Sequence, residues 1–157
     1  MLKSYQMNLL KATLLLISSL TVMAGATVAP ALPMMNDFFQ DYPNAELMTR
    51  LVITMPALFI ALFAPLAGWL LDNFPKKKLL LITITVYALA GASGLVLTNL
   101  YHILISRAIL GIAVSIVMTG ATALVGDYLE GQERVEFLGL QGAFMAFGGT
   151  IFVSIAG

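Results

Sequence analysis

The sequence predicts an all-α membrane protein with five transmembrane helices, and three observations lead to this fold class. The 157 residues are 60% hydrophobic and only 10% charged, whereas about 25% of a typical soluble domain is charged. The mean hydropathy is +0.95. Five long stretches carry no charge, namely residues 12–36, 51–71, 79–106, 108–126 and 137–157. Roughly 20 apolar residues in a helix cross the ~30 Å hydrocarbon core of a bilayer, so each stretch is long enough for one crossing.

The spans are expected to be helices because backbone N–H and C=O groups find no water partner inside the hydrocarbon. Transmembrane strands would instead show alternating segments of about 10 residues. We predict helices over roughly residues 10–35, 47–72, 78–98, 102–126 and 136–157. The links between them are short, so consecutive helices are predicted to lie antiparallel and side by side. The first apolar run is too long for a signal peptide, and four more spans follow it.

The distribution of basic residues predicts that the N-terminus lies in the cytoplasm. With this orientation only Arg50 flanks a span on the outside, and six basic residues lie inside, as the positive-inside rule requires. The six are Lys3, Lys11, Lys76, Lys77, Lys78 and Arg134. Five crossings then place the C-terminus outside. The predicted location is the cell membrane, with the lipid bilayer as a partner of the whole chain.

Composition excludes several classes of function. The chain has too little polar surface for a nucleic-acid binder, a disordered segment or an ordinary cytosolic enzyme. It contains no Cys, and His102 is its one histidine, so no thiolate nucleophile and no metal site built on Cys or on a His cluster is predicted. Neither a Ser–His arrangement nor a pair of Asp residues suited to intramembrane catalysis is present. We therefore expect neither enzymatic activity nor a cofactor, metal or nucleic-acid partner.

The end of the second predicted helix carries a pattern that calls for a binding partner. Gly68 and Asp72 are four residues apart, so they share one helix face. A glycine there lets another helix approach closely. Asp72 lies at the C-terminal end of the helix, where the macrodipole disfavours a carboxylate. We expect Asp72 to pair with a cation or with the N-terminus of another helix.

This segment resembles the signature of the major facilitator superfamily, which is Gly-x-Leu-x-Asp followed by basic residues. The matching positions are Gly68, Leu70, Asp72, Lys76 and Lys77. Asn73 stands where the family has a basic residue, and Pro75 stands where it has a glycine. In the family the aspartate braces the cytoplasmic side of the outward-facing state against a helix of the second half. The resemblance implies this gating role for Asp72.

The fourth predicted helix carries the one charge placed within a span, Arg107. A cation at that depth costs a few kcal/mol or more, so it usually faces the bundle interior or a wet cavity. Gly111, Ser115 and Thr119 follow it at four-residue spacing, and we predict that the four residues line a cavity together. An arginine followed four residues later by glycine resembles the fourth-helix motif of the same family. The alternative interpretation is an arginine that reaches outward to the headgroups.

The link after the fourth helix adds Asp127 and Arg134 to the predicted gating residues. Each lies at the helix end that disfavours its charge, so we expect the two to pair with each other. An exposed pair of this kind contributes about 0–1 kcal/mol.

The resemblance implies a function in transport. Family members are secondary transporters of about twelve helices in two halves, and the substrate binds between the halves. Residues 1–157 are then an incomplete N-terminal half, with the C-terminal half and a small-molecule substrate as partners. The last apolar stretch runs to Gly157 without a polar tail, so we expect the chain to be truncated. The first helix ends in Ala31-Leu32-Pro33, which resembles drug exporters.

Export of a hydrophobic or drug-like compound by alternating access is therefore the first expectation. Uptake of a nutrient or metabolite by a carrier of the same family is the second. A self-standing small membrane protein that assembles through its glycine faces is the third. The sequence leaves the coupling ion open. No Asp or Glu lies in the interior of the five spans, so if protons drive transport, their main site is expected in the C-terminal half.

Overall fold

The computed structural model describes residues 4–26, 28–40 and 44–156, and these residues form six α-helices without a strand. The helices are α1 (Ser4–Ala26), α2 (Leu32–Phe38), α3 (Ala45–Asn73), α4 (Lys76–Ala92), α5 (Leu100–Tyr128) and α6 (Gly131–Ala156). The prediction of an all-α fold is confirmed for this part of the chain. The five long helices correspond in order to the five predicted ones, and α2 is an additional short helix. Lys3 and Gly157 lie outside the described residues.

The first predicted helix is divided in two by its prolines. It was expected to continue to residue 35, but α1 ends at Ala26. A 3-10 turn at Ala29–Ala31 follows, and α2 then begins at Leu32 with Pro33 in its first turn. Proline has no N–H to donate, and its ring clashes with the carbonyl four residues earlier, so it fits best in the first turn of a helix and kinks or breaks a helix further along. Pro30 and Pro33 therefore end one helix and permit another to start.

The third and fifth helices also have ends that differ from the predictions. α4 stops at Ala92, and a 3-10 turn at Ser93–Leu95 takes up part of the segment predicted to be helical to residue 98. Serine and glycine favour the helix interior less than alanine or leucine does. α6 begins at Gly131, several residues before the predicted start at 136. Gly131 has a φ of +55°, a conformation that glycine adopts without steric cost.

Four of the helices, α1, α3, α5 and α6, are long and apolar enough to cross a membrane. α4 has 17 residues, slightly short of the roughly 20 that a crossing needs. The chain is thus an integral membrane protein by composition and length. A fifth crossing by α4 and a cytoplasmic N-terminus remain predictions.

Helix α5 is the centre of the bundle. It contacts α1, α3, α4 and α6, and half of its apolar segment is buried, compared with 17% or less in α1, α3 and α6. Leu110 and Val114 of α5 pack against Ala24 of α1 and Ala90 of α4. The side chains of α5 are therefore held more firmly than those of any other described helix.

The closest approach between α3 and α5 depends on Gly111. A Cβ atom at this position would lie 2.7 Å from the Pro56 carbonyl oxygen and 2.9 Å from Phe59 Cβ. Only a glycine fits between these atoms without displacing the α3 backbone. Pro56 lies inside α3, which continues as a helix through it.

Candidate functional site

Two ion pairs join four helices at one end of the bundle, which we call the basic end because Lys11, Lys76 and Arg134 lie there. Lys76 Nζ of α4 lies 2.5 Å from Asp127 Oδ2 of α5. Lys11 Nζ of α1 lies 2.6 Å from Glu133 Oε1 of α6. The short loops after α3 and α5 bring the starts of α4 and α6 to this end. The pairs therefore fix α4 on α5 and α6 on α1.

The pairing expected between Asp127 and Arg134 is wrong, because Asp127 pairs with Lys76. Arg134 is exposed, and its guanidinium lies against Gly126, where a Cβ atom would be 3.5 Å from Arg134 Nη2. The start of α4 lies beside the end of α5, so its first lysine reaches the carboxylate. Lys76 and Asp127 are 51 residues apart in the sequence. A comparison of charges that are close in sequence therefore cannot predict this contact.

Of the charged residues of the second-helix motif, Lys76 is paired with Asp127, whereas Asp72 and Lys77 lie at the same end without an ion-pair partner among the described residues. Asp72 is exposed at the C-terminal end of α3 and makes no ion pair with any residue that the structure describes. A Cβ atom at Gly68 would meet no atom within 4 Å. Lys77 is exposed and likewise forms no ion pair within residues 4–26, 28–40 and 44–156. The face that Gly68 and Asp72 share is therefore open.

Arg107 is half-buried on α5 and lacks a charged partner among the described residues. Its Nε atom is buried and makes no hydrogen bond there. The guanidinium lies against the end of α4, where a Cβ atom at Gly94 would be 2.9 Å from Arg107 Nη2. Tyr87 of α4 lines the same cavity as Arg107, and the Tyr87 hydroxyl donates a hydrogen bond of 2.8 Å to the Leu20 carbonyl.

Arg107 forms part of the wall of two cavities. The larger cavity, of about 460 Å³, lies between α2, the end of α4 and α5. The smaller cavity, of about 380 Å³, lies between α1, α4 and α5. Gly91 of α4 also lines both cavities. A cation thus lies at the junction of two spaces whose remaining lining is largely apolar.

The predicted stripe from Arg107 to Thr119 does not line these cavities as a unit. Gly111 packs against α3, Ser115 is fully buried, and the Thr119 hydroxyl donates to the Ser115 carbonyl at 2.8 Å. None of the three lines either cavity at Arg107. Four-residue steps along a helix of 3.6 residues per turn rotate by about 40° each. Ser115 therefore points roughly 80° away from Arg107, and the expectation of one shared lining face is corrected.

A buried polar contact between α1 and α6 was missed by the sequence analysis. Gln141 Nε2 donates a hydrogen bond of 2.6 Å to Ser18 Oγ, and Ser18 Oγ donates to the Leu14 carbonyl at 2.7 Å. The two side chains are 8% and 2% exposed. They border a third cavity of about 180 Å³ between α1, α5 and α6, which Thr21 and Thr122 also line. The sequence did contain an indication of this contact, which is a glutamine within the last apolar stretch. Polar side chains inside a membrane usually pair with another polar group.

The chain matches the family model described as Major Facilitator Superfamily over residues 14–157. It belongs to the major facilitator superfamily. The resemblance inferred from Gly68, Asp72 and Arg107 is thereby confirmed as to the family.

Several curated transporters of this superfamily are similar to the chain. The Multidrug transporter protein MdtP of Bacillus subtilis is 26% identical over 155 residues, which are 99% of this chain and 28% of that protein. The Niacin transporter NiaP of Acinetobacter baylyi is 26% identical over 73% of the chain and 26% of its own length. The Multidrug transporter AQR1 of Candida glabrata is 26% identical over 79% of the chain and 22% of its own length. The chain thus spans about a quarter of the length of these relatives.

In this member of the superfamily four charged residues at the basic end form ion pairs between helices, and Asp72 lies near them without an ion pair among the described residues. Arg107 lies apart from them, among apolar walls. Within the described residues no group of three or more His, Asp or Glu side chains could hold a metal ion. The chemistry that the arrangement offers is binding by charge and by apolar contact, together with the making and breaking of ion pairs.

Proposed function

We propose that the chain is the N-terminal part of a secondary transporter that exports a hydrophobic or drug-like small molecule across the cell membrane by alternating access. Membership of the major facilitator superfamily and similarity to multidrug and niacin transporters support membrane transport. In this proposal residues 1–157 form an incomplete half of the helical bundle. The substrate, the bilayer and a C-terminal half of the transporter are its partners.

The unpaired guanidinium of Arg107 is the observation that carries the proposal. A charged group within a membrane-spanning helix is costly, and such groups mark substrate or ion pathways. Arg107 has no counter-ion among the described residues and borders two cavities. A merely structural arginine would be expected to form an ion pair with a neighbouring helix. We therefore assign Arg107 to the transport pathway.

The open face of α3 supports a gate at the basic end. Asp72 lies beside an unoccupied space at Gly68 and has no ion-pair partner in the described part of the chain. We propose that a helix of the opposing half packs on this face and that its approach provides the partner that Asp72 lacks among the described residues. The Lys76–Asp127 pair next to it holds α4 on α5. We propose that this pair keeps Asp72 in position while the two halves move.

Uptake of a nutrient or metabolite is the second candidate. The niacin transporter has the same 26% identity to the chain as the two multidrug transporters. Similarity to a niacin transporter therefore supports a nutrient carrier, as similarity to the multidrug transporters supports a drug carrier. Arg107 has the same role in both candidates.

Transport by the complete gene product tests the proposal. Cells that lack their own efflux pumps are expected to accumulate less Nile red, a neutral apolar dye, when they express the protein. Arg107→Ala should abolish or strongly impair this effect without lowering the amount of protein in the membrane. Arg50→Ala is the matched control, since Arg50 is an exposed arginine that pairs with Glu46 at the start of α3. Normal transport by the Arg107→Ala protein would remove Arg107 from the mechanism.

Two parallel measurements separate the alternatives. Uptake of radiolabelled niacin that depends on the protein would favour the nutrient carrier over the exporter. The 157-residue chain expressed alone is expected not to transport, because it lacks the opposing wall of the pathway. A stable oligomer of the isolated chain, with no transport by any product of the gene, would favour the self-standing membrane protein.

A further inference from the structure

The surroundings of Arg107 indicate the chemical class of the ligand. We propose that Arg107 binds the anionic group of an amphiphilic organic anion, such as an aromatic carboxylate, whose apolar part lies in the larger cavity. This inference rests on the transport function proposed above and adds the substrate class to it.

The first argument is the missing counter-ion. Among the residues that the structure describes, Arg107 Nε is buried without a hydrogen-bond acceptor, and no Asp or Glu lines either cavity. A buried charged donor without an acceptor is strongly destabilising. The planar fork of a guanidinium matches a carboxylate and forms two parallel hydrogen bonds with it. A bound anion would satisfy a donor that the described residues leave unpaired.

The second argument is the shape and lining of the larger cavity. Its volume of about 460 Å³ lies within the range of small-molecule sites, which are mostly apolar with a few polar groups. Met34, Met35, Phe38 and Phe39 line one side of it, and Arg107 lies on another. Methionine and aromatic side chains form adaptable apolar walls. The cavity therefore offers one cationic contact and a large apolar surface.

The third argument excludes the opposite charge. A cationic drug would be repelled by Arg107, and no acidic side chain would offset the repulsion, since neither cavity has an acidic residue in the described part of its lining. A neutral compound would fill the cavity but leave Arg107 Nε unpaired. Of the three charge types, an anion gains most from this site.

Binding of 2-naphthoate to the complete gene product tests the proposal. The protein is reconstituted in nanodiscs of phosphatidylcholine, and 2-naphthalenemethanol serves as the neutral analogue of the same shape. Arg107→Gln is expected to weaken naphthoate binding by roughly 10- to 100-fold, the effect of a lost charge-assisted hydrogen bond. Binding of the neutral analogue should not change. Arg107→Lys keeps the positive charge but loses the planar guanidinium, so its affinity for naphthoate should fall by less than that of Arg107→Gln. The control variant Arg50→Gln should bind naphthoate like the wild type.

Three results would overturn the proposal. The first is an equal loss of affinity for naphthoate and for the neutral analogue in both Arg107 variants. The second is unchanged naphthoate binding in Arg107→Gln. The third is loss of naphthoate binding to the wild type when phosphatidylglycerol is added to the nanodiscs, because the anion would then be a lipid rather than a transported compound.

The test also distinguishes this proposal from the proposed transport function. A wild-type protein that transports Nile red but does not bind naphthoate refutes the anion site and leaves transport in place. A protein that binds naphthoate through Arg107 but moves neither Nile red nor niacin nor naphthoate refutes transport and leaves the anion site in place.

Discussion

Replacement of Gly111 by alanine tests whether α3 and α5 pack as closely as the structure shows. The new Cβ atom would lie 2.7 Å from the Pro56 carbonyl oxygen, whereas non-bonded heavy atoms are most stable at about 3.5 Å or more. The α3 backbone must therefore move by roughly 0.8 Å. Because the obstacle is backbone rather than the end of a flexible side chain, the strain cannot be relieved by a rotamer change. Overpacking of this kind costs about 1–3 kcal/mol.

The helix propensity of alanine opposes this cost and must be separated from it. Alanine is better than glycine in a helix interior by about 1 kcal/mol. Gly139→Ala in α6 is the matched control, since a Cβ atom there would meet nothing within 4 Å. Both variants gain the helix propensity of alanine, so this gain cancels when their stabilities are compared. The remaining difference, about 1–3 kcal/mol, is the cost of the strain at Gly111.

The assay is unfolding of the purified protein in mixed micelles by increasing fractions of dodecyl sulfate. Gly111→Ala is expected to unfold at a lower fraction of dodecyl sulfate than Gly139→Ala. Transport is measured alongside, because displacement of α3 also shifts the face that carries Asp72. Equal stability of the two variants would show that α3 and α5 are further apart than described here.

Two further predictions concern contacts between helices. Ser18→Ala and Gln141→Leu should show a coupling of about 0.6–1.7 kcal/mol in a double-mutant cycle, the range for hydrogen bonds between transmembrane helices, and additive effects would mean that the bond contributes nothing. Lys76→Ala and Asp127→Ala should couple by up to about 1 kcal/mol. Arg134→Ala should not couple with Asp127→Ala, and a coupling between those two as large as that of Lys76 would reverse the assignment of the ion pair.

Much of the fold could be predicted from the sequence because its strongest signal is local. Long uncharged stretches fix where the helices lie, since a charge within the hydrocarbon is costly and the backbone must be paired there. The predicted helix ends were less accurate where residues that disfavour a helix lie within an apolar stretch. Pro30 and Pro33 are apolar and flanked by apolar residues, yet they break the first helix. Ser93 and Gly94 in the same way shorten the helical part of the third span.

The contacts of the candidate site were harder to predict because they depend on which helices become neighbours. Ser18 and Gln141 are 123 residues apart in the sequence, and nothing local connects them. Gly111 and Ser115 share a four-residue spacing with Arg107, but the rotation of about 40° at each step turns them toward other surroundings. The sequence indicated that Arg107 is unusual because it is a charge within an apolar span. Its position beside two cavities follows only from how the helices pack.

The difference between paired and unpaired charges in this chain argues for two separate roles. Lys11 and Lys76 each have a carboxylate within 2.6 Å on a neighbouring helix, and such pairs suit contacts that persist. A charge that acts in a transport cycle must instead be available to something that arrives and leaves. Asp72 at the basic end and Arg107 between the cavities meet this condition within the described residues. If Asp72 contacts a helix of the opposing half and Arg107 binds a solute, gate closure and ligand binding depend on opposite charges on two different helices. A substitution of Asp72 should then leave solute binding at Arg107 unchanged, and a substitution of Arg107 should leave the helix contact of Asp72 unchanged.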